Sequence, residues 1–269
     1  MKKIDFITGL PRAGSTLLTN ILNSNPNHFV TPTSGLIDTF MTIKNNWRNN
    51  DLYKTEGIEK IKPRILCAMK AFLQGYFEPE KGGVAFDKNR GWMAHTTIMD
   101  EVLDDYKMIV CVRDVKSIVG SFEKLHRKNG IEANHFGDDF IQAQSPEGRA
   151  EIWLKPGGLV GLPIARLRDA LRCNPKNLII VPFIQLVTEP KIVMERLHEQ
   201  MGLEPYEYDF DNVKQTVTET DIIHGWKDLH VIRPKIEPPE LPGWHGLYAE
   251  DYLKELDNRY LDISKMSTY

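Results

Sequence analysis

The side chains best suited to chemistry lie near the start of the chain, in residues 3–22, which read KIDFITGLPRAGSTLLTNIL. The apolar, β-prone start predicts a strand, Gly9 and Gly14 predict a turn, and the apolar spacing that follows predicts a helix. A helix N-terminus after such a turn offers free backbone N–H groups to a phosphate-like anion. The predicted anion site consists of Arg12, Ala13, Gly14, Ser15 and Thr16.

The spacing of this turn is almost that of the nucleotide-binding P-loop, G-x-x-x-x-G-K-[ST]. Thr16 holds the hydroxyl position, but Ser15 stands where a nucleotide kinase has a Lys that contacts the β- and γ-phosphates. Arg12, two residues before the second Gly, provides a guanidinium instead. A guanidinium can hold an oxyanion through two parallel hydrogen bonds, so the turn still predicts an anion site.

A second candidate anion site follows the most apolar strand pattern in the chain, MIVCV at residues 108–112. Arg113 comes directly after this strand, and Ser121 lies eight residues later, two turns into the next predicted helix. This spacing lets both side chains face one anion. The alternative is a structural ion pair between Arg113 and either Asp114 or a core carboxylate.

Both patterns resemble segments of sulfotransferases that use 3′-phosphoadenosine 5′-phosphosulfate (PAPS). PRAGSTLL resembles their 5′-phosphosulfate-binding loop, and VRDVKSIVGSF resembles their 3′-phosphate-binding segment. The resemblance implies a three-layer α/β/α fold with a central parallel sheet, similar to that of P-loop nucleotide kinases. It also implies transfer of a sulfonate group from PAPS to a hydroxyl or amine, with no metal. Lys88, after a predicted strand at residues 84–87, matches the Lys that reaches the sulfate in the tyrosylprotein and bacterial groups.

The chain departs from the family pattern at the general base. Tyrosylprotein sulfotransferases place a Glu after the first helix, where this chain has Pro-Thr-Ser at residues 32–34. Cytosolic small-molecule sulfotransferases use a His in a Lys-x-His pattern, which Arg90 breaks here. His95 is the nearest His and is our candidate base. Phe183 and Gln185 stand where the family more often has Tyr and Glu, which puts polar nucleotide contacts there in doubt.

A late segment, residues 221–239, is rich in proline and in basic residues and too irregular for a core element. The resemblance implies a loop that closes over the nucleotide, and the alternative is a tail packed on the surface. Its possible anion contacts are His224, Lys227, His230, Arg233 and Lys235, of which we choose Lys227, His230 and Arg233.

The composition is that of an ordinary globular protein. With 37 acidic and 34 basic residues the net charge is −3, which does not point to nucleic acid or an anionic membrane as partner. Three dispersed cysteines, no apolar run of membrane-spanning length and no signal peptide predict a soluble cytoplasmic protein. We expect one domain over residues 1–269, with 34–76 and 129–160 forming the pocket for a small-molecule, sugar or peptide acceptor.

Two other functions remain open at this stage. A P-loop kinase for a small molecule would share the strand, loop and helix but would need Mg²⁺, ATP and the missing Lys. A degenerate module that binds a 3′-phosphorylated adenosine nucleotide without turnover would keep Arg113 and Ser121, and the absent Glu favours it.

Overall fold

The centre of the protein, in a computed structural model, is a five-stranded sheet in which all strands are parallel. The structure describes residues 2–130, 133–221 and 225–268, without the side chains of 133–135. The strands are Lys3–Gly9 (β1), His28–Thr33 (β2), Val84–Lys88 (β3), Met108–Val112 (β4) and Leu178–Pro182 (β5). They lie in the order β2-β3-β1-β4-β5, so β1 and β4 have a strand on either side.

Helices cover both faces of the sheet. Their bounds are Ser15–Asn23 (α1), Leu36–Asn49 (α2), Asp51–Glu56 (α3), Ile58–Phe77 (α4), Thr96–Val102 (α5), Val115–Asn129 (α6), Pro146–Leu154 (α7), Gly161–Cys173 (α8), Phe183–Thr188 (α9), Pro190–Met201 (α10), Glu250–Arg259 (α11) and Leu261–Met266 (α12). The predicted three-layer α/β/α fold with a central parallel sheet is therefore confirmed. A short 3₁₀ helix, Arg90–His95, follows β3.

The strands carry apolar side chains because both of their faces are covered. All five residues of β4 are buried, and so is β1 apart from Lys3. A strand buried on both sides loses the alternation of polar and apolar residues that marks a half-exposed strand. The continuous apolar run at residues 108–112 is the sequence signal of this position in the sheet.

The turn between β1 and α1 depends on close backbone packing. Gly9 pairs with Cys111 of β4 and has a φ of 136°, and a Cβ at Gly9 would overlap the Cys111 carbonyl group. Leu10 N donates to the same carbonyl oxygen at 2.9 Å. Gly14, with a φ of 86°, caps α1, and Arg12 has a positive φ of 59°. This backbone directs the N-terminus of α1 toward the carboxyl ends of the strands.

A buried carboxylate joins the ends of β2 and β3. Asp87 accepts hydrogen bonds from Thr31 Oγ1 at 3.1 Å, Ser34 Oγ at 2.9 Å and Trp92 Nε1 at 2.8 Å. Burial raises the pKa of Asp87, against the effect of the three donors. These contacts fix the chain on both sides of Lys88, which is the residue that follows Asp87.

No helix in residues 2–130, 133–221 or 225–268 is long and apolar enough to cross a membrane. The extent of a single domain over residues 1–269 stays a prediction.

We expect Gly9→Ala to lower the free energy of unfolding by more than about 3 kcal/mol, because the methyl group would push β1 and β4 apart. Gly130→Ala is the matched control, since Gly130 also has a positive φ, of 58°, but a Cβ added there would have no atom within 4 Å. It carries only the left-handed backbone penalty, roughly 1–2 kcal/mol. Urea unfolding of the two variants tests this, and equal losses would show that the close approach to Cys111 is unimportant.

Candidate functional site

A cavity of about 780 Å³ opens at the carboxyl ends of β1, β3 and β4. Its wall includes Thr8 of β1, Lys88 at the end of β3 and Arg113 directly after β4. Gly14, Ser15 and Thr16 at the start of α1 complete this side. In open α/β sheets, ligands bind in this crevice, and the first N–H groups of a helix have no partner within the helix.

One end of the cavity holds two arginines close together. Arg12 Nε donates to Ser121 Oγ at 3.0 Å, and Arg12 Nη1 donates to the carbonyl of Leu229. Arg113 Nη1 donates to the backbone oxygen of Arg12 at 3.0 Å. The structure thus brings Arg12, Arg113 and Ser121 together, although 109 positions separate Arg12 from Ser121.

Burial lowers the pKa of Arg113 to about 10, with Asp114 opposing and Arg12 adding to the effect. The Asp114 carboxylate accepts from Ser117 N at 2.8 Å and caps α6. No ion pair between Arg113 and Asp114 is found among the described residues, so the alternative of a structural pair has no support. The guanidinium of Arg113 instead lies 4.3 Å from the ring centroid of Phe183.

Phe183, which stands where relatives more often have Tyr, forms part of the same wall. A Cβ on Gly14 would lie 2.7 Å from Phe183 Cδ2, so the ring packs directly on the turn. Gln185 accepts from Arg196 at 2.7 Å, away from this ring. The doubt about polar contacts at these two positions therefore agrees with their observed packing.

Lys88, in another part of the cavity wall, forms a buried ion pair with Glu219, which lies behind that wall. Their side chains are only 7% and 4% exposed. Lys88 Nζ also donates to Thr16 Oγ1 at 3.1 Å, and Thr33 Oγ1 donates to Glu219 Oε2 at 2.6 Å. Lys88 therefore joins the start of α1 to the carboxylate of Glu219, which lies just before the late segment.

His230 and Asp221 lie beside this pair. His230 Nδ1 is 2.5 Å from Asp221 Oδ1, and its Nε2 is 3.4 Å from Glu219 Oε2. Burial lowers the pKa of His230 even though Asp221 and Glu219 favour its charged form. The ring therefore lies between two carboxylates, at a site where a proton can be held or passed on.

Asn20 of α1 explains how Glu219 reaches the site. Its Oδ1 accepts from Thr216 N at 2.7 Å and from Val217 N at 2.8 Å, and its Nδ2 donates to Val217 O at 3.3 Å. Asn20 is 1% exposed. One buried side chain thus fixes the backbone two residues before Glu219. Neither Asn20 nor Glu219 was predicted from the sequence, since no local periodicity shows a contact across 197 positions.

Comparison with known proteins agrees with this geometry. The model of the sulfotransferase family matches residues 6–208, which is more than half of the chain. The chain belongs to the sulfotransferase family. A Caenorhabditis briggsae protein with the provisional designation of protein-tyrosine sulfotransferase is 21% identical over 262 residues, 96% of this chain and 86% of that protein.

Solved structures of sulfotransferases share the fold. The sulfotransferase domain from the curacin biosynthetic pathway has a TM-score of 0.53 at 17% identity, covering 96% of this chain and 97% of that one. A sulfotransferase from Alicyclobacillus acidocaldarius has a TM-score of 0.52 at 12% identity, covering 99% and 94%. At these identities the similarity shows the fold alone.

The remaining predicted contacts of this sulfotransferase differ in their distance from the cavity. His230 and Arg233 line it, as does Lys235. Ala13 is buried, so its side chain packs in the core. Lys227 is exposed and outside the cavity wall, with its backbone N–H donating to Asn129 Oδ1 at 2.8 Å. His224 lies outside the described residues.

The structure does not bring His95, the candidate base, to the cavity wall. It lies at the end of the 3₁₀ helix, where burial and the charges of Lys44 and Arg166 lower its pKa. Glu219 does not line the described wall either, but it contacts Lys88, which does.

The two ranges predicted for the acceptor side contribute unequally. Phe136, Trp153 and Leu159, from residues 129–160, line the cavity together with Trp226 of the late segment. The described wall includes no residue of 34–76. The assignment of either range to the acceptor stays a prediction.

The Lys88–Glu219 pair should make stability depend on pH. Burial alone would raise the pKa of Glu219. Three neighbours outweigh burial and hold this pKa below the ordinary 4.5: Lys88 through its charge and hydrogen bond, Thr33 through its hydrogen bond and His230 through its charge. A carboxyl group more acidic in the folded state stabilises the fold above its unfolded pKa, and this is lost as the pH falls through the folded value.

We therefore expect Glu219→Gln to destabilise the protein by roughly 3 kcal/mol near pH 7, since it leaves Lys88 buried without a counterion. The difference from the wild type should shrink below about pH 4.5, where the wild-type carboxylate also becomes protonated. Urea unfolding at a series of pH values measures it. A difference that does not vary with pH would contradict the assigned ionisation.

Proposed function

We propose that this sulfotransferase transfers a sulfonate group from PAPS to a hydroxyl or amine of an acceptor. The observation that carries the proposal is the pair of anion-binding ends in one cavity. Arg113 and Ser121 form one end, while Lys88, the start of α1 and Arg12 of the preceding turn, which also contacts Ser121, form the other. PAPS has a 3′-phosphate and a 5′-phosphosulfate, and this pairing of anions suits the two ends.

The residues present fit such a nucleotide. Gly14, Ser15 and Thr16 line the cavity at the start of α1, where the first N–H groups of the helix have no partner within it. Thr8 Oγ1, in the cavity wall, is buried and has no hydrogen-bond partner among the described residues. Among the described residues, the hydrogen bonds of Arg12 and Arg113 go to neutral groups, so their charges remain for two phosphate oxygens.

The reaction breaks the bond between sulfur and the bridging phosphate oxygen and forms a bond between sulfur and the acceptor oxygen or nitrogen. Charge then develops on the bridging oxygen. Lys88 Nζ, Thr16 Oγ1 and the N–H groups that begin α1 lie together and stabilise that charge. The acceptor proton passes to a base, and the products are adenosine 3′,5′-bisphosphate and the sulfated acceptor.

Glu219 is our proposed base. Its carboxylate contacts Lys88, the cation nearest the reacting sulfonate, and also Thr33. Thr33 belongs to the segment where tyrosylprotein sulfotransferases carry their Glu, so a late residue brings a carboxylate to the same neighbourhood. His230, hydrogen-bonded to Asp221, adjoins Glu219 and can relay the proton to solvent. A carboxylate at this site removes the main reason for proposing a module without turnover.

The acceptor class remains a proposal. The provisional designation of the Caenorhabditis briggsae relative names protein tyrosine, and a phenolic hydroxyl is one of the groups this site can use.

We also propose that the protein acts in the cytoplasm, where its cysteines, which form no disulfide among the described residues, stay reduced. No cluster of three or more metal-ligating side chains lies among the described residues, and metal independence stays a prediction.

The nucleotide preference tests the function directly. We expect adenosine 3′,5′-bisphosphate to bind without metal and at least tenfold more tightly than ADP, because Arg113 and Ser121 recognise a 3′-phosphate. Arg113→Ala should weaken the binding of the bisphosphate by about 10- to 100-fold and the binding of ADP much less. Isothermal titration calorimetry measures both. Equal losses for the two nucleotides would refute the 3′-phosphate site, and a preference for Mg-ATP would favour a kinase.

The role of Glu219 can be separated from its role in folding by the acidity of the acceptor. With PAPS as donor, we expect Glu219→Gln to slow transfer to a phenol of pKa about 10 by at least 100-fold. Transfer to 4-nitrophenol, which ionises near neutral pH, should slow much less, because it needs no base.

Release of adenosine 3′,5′-bisphosphate measures both rates, and unchanged affinity for that product shows that the variant is folded. Equal slowing of the two acceptors would assign Glu219 to structure and not to proton transfer.

A further inference from the structure

Apart from the exposed Arg233, four basic side chains in or near the cavity wall have no hydrogen-bond or ion-pair partner among the described residues. This cationic cluster consists of Lys44, Arg90, His95 and Arg166. Most other basic groups near the site have such a partner; Lys88, for example, pairs with Glu219. None of the four is needed for the nucleotide contacts described above.

Packing brings three elements together at the cluster. The 3₁₀ helix Arg90–His95 provides two of the four residues. Helix α2 packs on it, because a Cβ on Gly91 would lie 2.9 Å from Ile37 Cδ1, and the rings of Phe40 and Trp92 are 5.6 Å apart. Lys44 follows Ile37 by seven residues and Phe40 by four, so it lies on the same face of α2.

Helix α8 packs against the same 3₁₀ helix and provides Arg166, which is half-buried like Lys44 and His95. Burial lowers the pKa of His95, and the charges of Lys44 and Arg166 lower it further. Burial also lowers the pKa of Arg90, with Glu219 opposing and Arg166 adding to the effect. These groups are therefore close enough to repel one another.

The nearest carboxylates already have partners. Glu101, beside Lys44, is 3.1 Å from Lys62, and Glu219 pairs with Lys88. The cluster thus has an excess of positive charge in partly dry surroundings, where repulsion between like charges is stronger than in water. A bound anion would relieve it. Of the four, Arg90 lines the described cavity wall, and it lies close enough to Lys88 for the two charges to repel, so the anion would lie at the Arg90 side of the wall.

We propose that the cationic cluster binds an anionic group of the acceptor, a carboxylate, phosphate or sulfate, and so selects acidic acceptors. The proposal rests on the proposed function, because it names the acceptor class of the same site. It also gives His95 a role: its imidazole charges when the anion binds and then donates a hydrogen bond to it.

The binding step can be tested without an acceptor. Adenosine 3′,5′-bisphosphate at saturation keeps other anions out of the nucleotide site, and inorganic sulfate is then the probe. We expect sulfate to raise the pKa of His95, followed by its imidazole NMR signals, which His95→Gln identifies. The shift should vanish in Arg166→Gln. Arg172→Gln is the matched control, since Arg172 is exposed on the same helix and lies 2.6 Å from Asp169, and it should keep the shift.

Selectivity for acidic acceptors is tested with two phenols of nearly the same shape, one with a carboxylate and one with a neutral amide. We expect 4-hydroxyphenylacetate to have a kcat/KM about tenfold above that of 4-hydroxyphenylacetamide, and Arg166→Gln to abolish this preference. A wild type whose His95 pKa does not respond to sulfate, or responds equally in Arg166→Gln, overturns the proposal. Equal use of the two phenols overturns it as well. If the bisphosphate itself fails to bind, the proposed function fails, while the His95 titration with sulfate can still be read.

Discussion

The site depends on the need of one buried ammonium group for a counterion. Lys88 is the last residue of β3, and its side chain is 7% exposed. A charge in such surroundings is costly unless it is paired, and the partner, Glu219, lies 131 positions further along the chain. The pair therefore requires the late, irregular segment to cross the ends of the strands. Asn20 holds residues 216 and 217 to α1, so the carboxyl edge of the sheet becomes the floor of the cavity.

The cationic side chains at the two ends of the cavity have different kinds of partner. Lys88 has its carboxylate, whereas Arg12 and Arg113 contact Ser121, backbone oxygens and the face of Phe183. Those contacts orient the two guanidinium groups without neutralising them. Asp221 and Asp114 favour the charged forms of Arg12 and Arg113, but neither forms an ion pair with them among the described residues. A phosphate dianion would pair with them directly, so this end suits the permanent charge of a nucleotide. The end with Glu219 suits a reaction in which a proton must leave.

Parts of this arrangement could be predicted from the sequence because they depend on local pattern. The turn at residues 9–16, the apolar strand at 108–112 and the eight-residue spacing from Arg113 to Ser121 are all short-range signals, and all three coincide with elements that line or adjoin the cavity. The late segment has no such pattern. Its course is set by side-chain contacts to α1, so the sequence indicated the basic residues there but not Glu219. For the same reason His95 was chosen by its closeness in sequence to Lys88, while folding turns it toward Lys44 and Arg166.

The contact between Lys88 and Glu219 also links donor binding to proton transfer. The attraction of Lys88 is the strongest of the effects that hold the pKa of Glu219 down. An anionic sulfonate near Lys88 takes a share of that attraction, so the pKa of Glu219 rises toward or above its ordinary value. A carboxylate of higher pKa is a better base. In the proposed reaction, Glu219 would therefore be a weak base while the donor site is empty and a stronger one when the sulfonate is bound, so Lys88 would link donor binding to proton transfer.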